Sequence, residues 1–267
     1  MVLMESYIAL HRCSPVIPMQ IPRTSLTPRS KVQFGILQDA ANVASVKRVV
    51  VTSSFVTLLE PKEGKYEYSE LDWFDTAPKI VEQQGRSASG ALKYIASKVL
   101  AEHAAWDWMK ANNPSFELVT VLPPWKSILA DPAQNRPESS NYRLLSAISG
   151  AKDGTVDLTE TTYINDVLDI AEGHVRALIT PGIAGQRFNL LGGSVTWQDT
   201  LDYIAAHPVQ GLDAPVGQPG SGKSFSEVAE KKMSGEKALK QLGMIYRSPK
   251  DTIHDTIAQA LEFGWKP

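Results

Sequence analysis

Short apolar runs alternate with longer amphipathic segments along this chain. The β-branched run 46–54 (VKRVVVTSS) and the run 116–122 (FELVTVL) are typical of strands buried on both faces. The segment 186–191 (QRFNLL) is a third candidate strand. Between the first two lies the segment 87–112, whose apolar residues recur at helical spacing. Strands that alternate with helices predict an α/β fold with a parallel sheet covered by helices.

Three further segments carry helix signals. Residues 33–44 predict a helix before the first strong strand, and residues 165–179 predict one before the third. The tail has residues typical of a helix start and stop: Ser248 as the cap, Pro249 in the first position and Gly264 as the stop. We therefore predict that this last segment is helical.

Composition narrows the class of protein without pointing to a reaction. With 267 residues, 43% of them hydrophobic, the chain can bury a large core. The 27 basic and 29 acidic side chains nearly cancel, to a net charge of −2, which argues against nucleic acid or an anionic membrane as a partner. The single cysteine, Cys13, excludes a disulfide within the chain and favours the cytoplasm. No apolar run approaches the length that spans a bilayer.

The stretch 217–224 (GQPGSGKS) matches the phosphate-loop pattern G-x-x-x-x-G-K-[ST] at every position. A phosphate loop needs a buried strand that delivers its glycine amides to a helix N-terminus. The residues before this stretch include Pro208 and Pro215 and no β-branched run, and Pro219 lies within it. We interpret the stretch as a surface loop rather than a nucleotide site.

Other polar residues give no second candidate site. The five histidines occur singly, without an i,i+4 pair, so no metal site is predicted, and we expect His103 and His174 to pack on their helices. Asp166 and Asp169 begin a predicted helix, where carboxylates offset the helix dipole. The acidic segment 66–73 (YEYSELDW) is a candidate border of a site, but the sequence does not bring its carboxylates together.

The candidate chemistry lies near Tyr94 and Lys98, which stand four residues apart on a predicted helix and so share one face. A phenol titrates at about pH 10, and a cation beside it favours the phenolate, which makes tyrosine a proton donor and acceptor near neutral pH. The Y-x-x-x-K pattern alone is weak, since Tyr246 and Lys250 repeat it. In that second copy a helix begins between the two residues, so we treat it as accidental.

The setting of Tyr94 strengthens the signal. The hydroxyl-bearing residues 52–54 (TSS) end the strand before the helix, and residues 123–125 (PPW) come directly after the strand that succeeds it. In an open α/β sheet, ligands bind outside the carboxyl ends of the strands, where Ser54 and Pro123 both fall. The alternative is that the two serines merely end a strand and cap the next segment of the chain.

Five segments together resemble a known family. They are VKRVVVTSS (46–54), YIASKVLAE (94–102), FELVTVLPPW (116–125), INDVLDIAEGHVRAL (164–178) and EKALKQLG (236–243). On these residues the chain resembles the extended short-chain dehydrogenases, which are NAD-dependent epimerase/dehydratase-like, and within them the fungal ketone and aldehyde reductases and the plant dihydroflavonol reductases. The resemblance covers most of the chain. It implies a Rossmann-type, doubly wound parallel sheet and a smaller C-terminal substrate lobe.

The resemblance also implies a Ser-Tyr-Lys mechanism. Ser54 would hydrogen-bond the substrate carbonyl, Tyr94 would pass it a proton, and Lys98 would lower the tyrosine pKa and hold the nicotinamide ribose, with hydride from NADPH or NADH. The segment HRCSPV (11–16) is similar to the family's His-x-Ala-Ser-Pro segment. The implied cofactor contacts are Ser14, Thr52, Ser53, Tyr94, Lys98, Pro123 and Trp125.

The same resemblance divides the chain. Residues 1–125 would form a Rossmann-like core and residues 126–267 the substrate lobe, with 164–191 returning to the core. The family places a strand, a glycine-rich turn and two more strands before its HRCSPV equivalent, and this sequence contains no G-x-x-G-x-x-G turn. We therefore expect an N-terminally truncated member with weak or absent cofactor binding, and an exposed sheet edge at the candidate strand 6–10 (SYIAL).

Three functions remain open on the sequence. The first is a reductase that interconverts a ketone or aldehyde and an alcohol on a small-molecule substrate. The second is a cofactor-independent isomerase or cyclase that uses the same three side chains for proton transfer. The third is a non-catalytic binding protein. The resemblance also implies a homodimer formed through the helices that flank the catalytic one.

Overall fold

The structure of the chain is a computed structural model that describes residues 7–10, 28–124, 126–127, 140–222, 227 and 229–265. The strands are β1 (Tyr7–Leu10), β2 (Arg48–Thr52), β3 (Tyr66–Tyr68), β4 (Glu117–Leu122), β5 (Lys126–Ser127), β6 (Thr161–Asp166), β7 (Arg187–Asn189), β8 (Gly193–Thr196) and β9 (Lys231–Met233). The α-helices are α1 (Pro28–Ala41), α2 (Thr76–Gln84), α3 (Gly90–Asn112), α4 (Ser140–Asp153), α5 (Val167–Ile179), α6 (Trp197–Ala206) and α7 (Pro249–Glu262). Short 3-10 turns cover Phe55–Leu58 and Gly85–Ser87, and a π-helical turn covers Ala238–Leu242.

The described residues fold into two compact units. The first takes its residues from Met1–Pro123, Gly173–Asn189 and Met233–Gly243. The second takes them from Pro124–Glu172, Leu190–Lys232 and Met244–Pro267. The predicted division, with residues 1–125 and 164–191 in the core and the rest of 126–267 in the lobe, stays a prediction. The role of the second unit as a substrate lobe stays a prediction.

A four-stranded parallel sheet forms the centre of the first unit, in the order β1-β2-β4-β7. All five residues of β2 are buried, as its β-branched composition predicted. The predicted strands within 46–54, 116–122 and 186–191 are confirmed, and with them the parallel α/β fold. Among the described strands, β1 lies at one edge of this sheet, as predicted from residues 6–10.

Side chains of β2 alternate between two helical layers. Val49 and Val51 pack in one apolar cluster with Leu37 of α1 and Ala105 of α3. Arg48 points to the opposite face, where its guanidinium donates to carbonyls at the C-terminal end of α5. Because successive side chains of a strand face opposite ways, odd-numbered residues of β2 face α1 and α3 and even-numbered residues face α5. This alternation decides where each hydroxyl at the end of β2 points.

Helix α3 carries the candidate catalytic residues, and its limits have local causes. It begins at Gly90 rather than at residue 87, because Ser89 is the cap and its hydroxyl accepts from an amide of the first turn. Residues 85–87 form a separate 3-10 turn. At the other end Asn113 adopts a left-handed conformation with φ of 41°, and Pro114 comes next. The predicted helix is confirmed with a start three residues later.

The predicted helix 165–179 is wrong at its start. Residues 161–166 form β6, which pairs antiparallel with β8, and the helix α5 begins only at Val167. Asp166 marks the change, because its carboxylate accepts from the amide of Leu168 at 2.8 Å and so satisfies a donor in the first helical turn. The strand was missed because its sequence, TTYIND, has polar residues at both ends.

The second unit has its own core. Strands β5, β6 and β8 form a three-stranded sheet in that order. Ile148, Trp197 and Ile253 belong to one buried apolar cluster, to which α4, α6 and α7 each contribute. Helix α7 begins as predicted, since Ser248 Oγ accepts from the amide of Asp251 at 3.2 Å and a proline comes directly after the cap.

The described part of the phosphate-loop match is packed against protein groups. The amide of Gln218 donates to Gln198 Oε1 at 2.7 Å, and the amide of Gly220 donates to Asp202 Oδ2 at 2.8 Å. No strand occurs in the described segment between α6 and this stretch. Backbone amides that already have protein acceptors, without a strand to deliver them, support the interpretation of a surface loop. Lys223 and Ser224 lie outside the described residues.

Candidate active site

The carboxyl end of β2 is the centre of the candidate site. The amide of Ser53 donates to Val121 O at 2.8 Å, which continues the pairing of β2 with β4 for one residue. The chain then turns at Ser54, the cap of the 3-10 turn Phe55–Leu58, and Ser54 Oγ accepts from the amide of Val56 at 3.5 Å. The structure thus shows the capping role that was the alternative for this serine. Capping does not exclude a catalytic role, since the hydroxyl keeps its own proton to donate.

Lys98 reaches this strand end from α3. Its ammonium donates to Thr52 O and to Ser53 O, both at 3.3 Å. Tyr94 precedes Lys98 by one helical turn and is 41% exposed, so its ring does not lie in the apolar core. The structure therefore brings Lys98 to the peptide next to Ser54, with Tyr94 on the same helix.

The side chains of Thr52 and Ser53 are engaged within the first unit. Thr52 Oγ1 lies 2.7 Å from His174 Nε2 of α5. Ser53 Oγ donates to Glu102 Oε2 of α3 at 2.5 Å. The two hydroxyls thus point to opposite faces of the sheet, as the alternation along β2 requires. Their predicted roles as cofactor contacts stay predictions, and their carbonyls are what Lys98 contacts.

Glu102 is a buried residue that the sequence patterns did not single out. It is 1% exposed, and its carboxylate accepts from three neighbouring strands: from Ser53 just after β2, from Thr120 within β4 at 2.7 Å and from Arg187 at the start of β7 at 2.8 Å. Such a charge is tolerable inside a protein only when it is paired and its oxygens are hydrogen-bonded. Both conditions hold here.

Arg187 completes this buried network. Its guanidinium donates to the carbonyls of Glu70 and Asp72 at 2.7 and 2.8 Å, and it lies over the ring of Trp73 at 3.5 Å. The carboxylate of Glu70 accepts from the amide of Asn189 at 2.9 Å. The acidic segment 66–73 therefore binds the end of β7, and its described contacts are structural.

Two signals in the sequence could have revealed this network. Glu102 comes four residues after Lys98, as Lys98 comes four residues after Tyr94, so the three form one stripe along α3. Thr120 and Arg187 are polar residues inside otherwise apolar strand segments. A charged residue in a buried strand and an opposite charge on a buried helix face predict a pair. The prediction for His174 missed its hydrogen bond to Thr52 because the pairing spans 122 residues.

The remaining predicted contacts are only partly described. Pro123 O accepts from the amide of Phe55 at 3.3 Å, which closes the turn at the site. Ser14 and Trp125 lie outside the described residues. Lys98 brings a cation to the carboxyl end of the sheet, where ligands bind in open α/β folds. The predicted cofactor roles of Tyr94 and Lys98 stay predictions. The sequence offers no glycine-rich turn for the pyrophosphate.

Comparison with known proteins decides the family. A scan against protein-family models gives no match. An oxidoreductase of Schizosaccharomyces pombe is 34% identical over 181 residues, which are 65% of this chain and 52% of that protein. The ketoreductase sphI of Aspergillus fumigatus is 30% identical over 270 residues, which cover 96% of this chain and 77% of that protein. This chain belongs to the extended short-chain dehydrogenase/reductase family.

A solved structure supports the same assignment. Yeast methylglyoxal/isovaleraldehyde reductase, crystallised with NADPH, matches with a TM-score of 0.74 at 27% identity, over 89% of this chain and 71% of that one. The predicted family and fold class are confirmed. The predicted class, an oxidoreductase of the short-chain dehydrogenase/reductase kind that uses NADP, agrees with these relatives. Within the described residues, no helix has both the length and the apolar character needed to cross a bilayer.

Proposed function

We propose that this member of the family reduces a ketone or aldehyde of a small molecule to an alcohol with NADPH, using Ser54, Tyr94 and Lys98. The observation that carries the proposal is the position of the Lys98 ammonium, 3.3 Å from both Thr52 O and Ser53 O, beside Ser54 at the carboxyl end of the sheet. An NADPH-dependent methylglyoxal reductase of Saccharomyces cerevisiae is 29% identical over 96% of this chain. These relatives favour a reductase over the isomerase and the binding protein.

Ser54 is suited to polarise the substrate carbonyl. Its Oγ accepts from the amide of Val56, which orients the hydroxyl and leaves its proton for donation to a carbonyl oxygen. Ser54 is 6% exposed, and a hydrogen bond in such a poorly hydrated position stabilises a developing oxyanion more than one in bulk water does.

Tyr94 and Lys98 are suited to deliver the proton. The phenol of Tyr94 gives its proton to the alkoxide oxygen, and the ammonium of Lys98 stabilises the phenolate that remains. Lys98 is held for this task by its two carbonyl contacts. When bound, NADPH supplies the hydride that reduces the carbonyl carbon.

Affinity for the cofactor is the point at which this chain departs from the family pattern. Much of the affinity for a dinucleotide comes from amides at a helix N-terminus that contact the pyrophosphate. This sequence has no glycine-rich turn to supply them. We propose that Tyr94 and Lys98 hold the nicotinamide end of NADPH.

The proposal is tested by titrating the purified chain with NADPH while following tryptophan fluorescence, and by following NADPH oxidation with small ketones and aldehydes. We expect binding, turnover, and a loss of turnover of at least about 100-fold in Tyr94→Phe. Tyr246→Phe is the matched control, because Tyr246 belongs to the second Y-x-x-x-K pattern, and it should keep full turnover. No binding at millimolar NADPH would contradict the reductase. Turnover of a substrate without NADPH that needs Tyr94 would instead support the isomerase.

Location and assembly belong to the same proposal. We propose a cytoplasmic enzyme, because the chain has a single cysteine, and a homodimer, because the family resemblance implies one. Cell fractionation and light scattering of the purified chain test these two points. Recovery in a membrane fraction would contradict the first, and a monomeric mass at micromolar concentration would contradict the second.

A further inference from the structure

We propose that Thr52 and Ser53 are positioning residues, clamped from opposite faces of the sheet by His174 and Glu102, and that this clamp holds Lys98 in place. The inference rests on the proposed function for what Lys98 does in the reaction. It concerns how the fold fixes the lysine, which the comparisons with known proteins do not address.

The two clamping contacts come from different layers of the first unit. Thr52 Oγ1 lies 2.7 Å from His174 Nε2 on the α5 face. Ser53 Oγ donates to Glu102 Oε2 at 2.5 Å on the α3 face. Both hydroxyls belong to buried residues, so neither bond competes with bulk water. Consecutive residues held on opposite faces cannot rotate about the strand axis without breaking one of the two bonds.

The carbonyls of the same two residues receive the Lys98 ammonium. Peptide units are planar, so holding the side chains of Thr52 and Ser53 restricts the direction in which their carbonyls point. A lysine side chain has a flexible four-carbon stem and a charge without fixed geometry, and it is therefore located by its acceptors. The clamp thus fixes the position of the cation through the backbone.

Glu102 is a rigid anchor for one side of the clamp. Its other oxygen accepts from Thr120 at 2.7 Å and from Arg187 at 2.8 Å. Glu102 and Lys98 are also one turn apart on α3, and both contact Ser53, one at its hydroxyl and the other at its carbonyl. The helix and the strand end are therefore joined at two points. These contacts fix the position of Lys98, and with it Tyr94, relative to the end of the strand.

A purely structural role would predict a different result from mutation. If the Ser53 bond only stabilises the unit, any lost donor to Glu102 should have the same effect. Thr120 offers that comparison, because it is fully buried, its hydroxyl also donates to Glu102, and it lies within β4 rather than at the Thr52 and Ser53 carbonyls that Lys98 contacts. Ser53→Ala and Thr120→Val therefore form a matched pair.

The experiment is an ultraviolet titration of the tyrosine hydroxyls in the free protein, which needs neither NADPH nor substrate. Each variant is measured with and without Tyr94→Phe, so that the difference isolates Tyr94. We expect Ser53→Ala to move the midpoint of Tyr94 to higher pH by about one pH unit, toward the value in Lys98→Met, because the cation no longer stays beside the phenolate. Thr120→Val should lose comparable thermal stability and leave this midpoint unchanged. Ser53→Thr, which keeps the hydroxyl, should restore it.

Thr52→Val tests the other side of the clamp and covers the case that Ser53→Ala does not fold, and it should move the midpoint in the same direction. Equal midpoints in Ser53→Ala, Thr52→Val and the parent protein would overturn the inference. An equal shift of the Tyr94 midpoint in Thr120→Val would also overturn the inference, since the shift would then reflect a general loss of packing in the first unit. If the parent protein fails to oxidise NADPH but the midpoint moves as expected, the proposed reductase fails and the clamp stands.

Discussion

Each unit has a buried carboxylate paired with an arginine, but the two pairs differ in how far water reaches them. In the first unit the side chains of Glu102 and Arg187 are 1% and 9% exposed. In the second, the side chain of Asp166 is fully buried while that of Arg247, 3.0 Å away, is 38% exposed. One pair is therefore sealed and the other is open on its cationic side.

The difference matters for the role that each pair can have. No water can replace a lost partner in the sealed pair, so both charges must be present. The pair can therefore hold neighbouring groups such as Ser53 in a well-defined position. In the open pair Arg247 is partly exposed and also pairs with Asp255 at 2.9 Å, so Asp255 and water remain as its partners when Asp166 is lost. Asp166 keeps bonds to the Leu168 amide at 2.8 Å and to Thr252 Oγ1 at 3.1 Å even without Arg247. The proposed site is built next to the sealed pair.

The largest expected effect is the loss of the charge at Glu102. Glu102→Gln keeps the shape of the side chain but leaves Arg187 as a buried charge without a counterion. We expect the free energy of unfolding to fall by about 3–5 kcal/mol. Urea denaturation followed by tryptophan fluorescence measures the change.

A double variant sharpens this prediction. Glu102→Met combined with Arg187→Met removes both charges. It should lower the free energy of unfolding by less than the sum of the two single substitutions, because no unpaired charge remains. Additive costs would show that the two side chains act independently. A cost below about 1 kcal/mol for Glu102→Gln would break the comparison, since the sealed pair would then behave as an open one.

Whether a contact could be predicted depends on how far apart its residues lie in the sequence. The strand β2, the cap of α3 at Ser89 and the cap of α7 at Ser248 have causes that lie within a few residues. The Tyr94 and Lys98 stripe was predicted for the same reason, as four residues of one helix set it. Strand β2 and the Tyr94 and Lys98 stripe also lie in segments that carried the family resemblance.

The network around Glu102 could not be assembled from local patterns. Its partners Ser53 and Arg187 lie 49 and 85 residues away in the sequence, and they meet only because β2, β4 and β7 are neighbours in the sheet. Strand β6 was missed because its sequence is polar at both ends and its pairing with β8 leaves no local signal. Sequence patterns thus located the catalytic candidates and missed the residues that hold them.

A smaller effect is expected when the open pair is broken. Asp166→Asn should lower the free energy of unfolding by about 1–2 kcal/mol, because an amide oxygen still accepts from Leu168 and Arg247 keeps Asp255 as a partner. Salt at about 0.5 M should reduce this difference, since Arg247 is partly exposed, and should leave the cost of Glu102→Gln unchanged. Denaturation at low and high salt measures both. An identical response of the two variants to salt would remove the distinction between the pairs.

The smallest expected effect concerns Asp169, which borders the open pair. Its Oδ2 accepts from the Arg247 amide at 3.0 Å, and burial, with the nearby charge of Asp166, raises the pKa of its carboxyl above the ordinary 3.8. The folded state therefore binds this proton more tightly than the unfolded chain does. Its contribution to stability is present at low pH and is lost as pH rises through the raised pKa.

Asp169→Asn removes this titration but keeps an oxygen for the Arg247 amide. We expect the melting temperature of the variant relative to the parent to rise as pH increases from below 3.8 through the raised pKa. Asp213→Asn is the matched control for the loss of one carboxylate, because Asp213 is a fully exposed carboxylate of the same unit. A melting-temperature difference between Asp169→Asn and the parent that does not change with pH would contradict the raised pKa of Asp169.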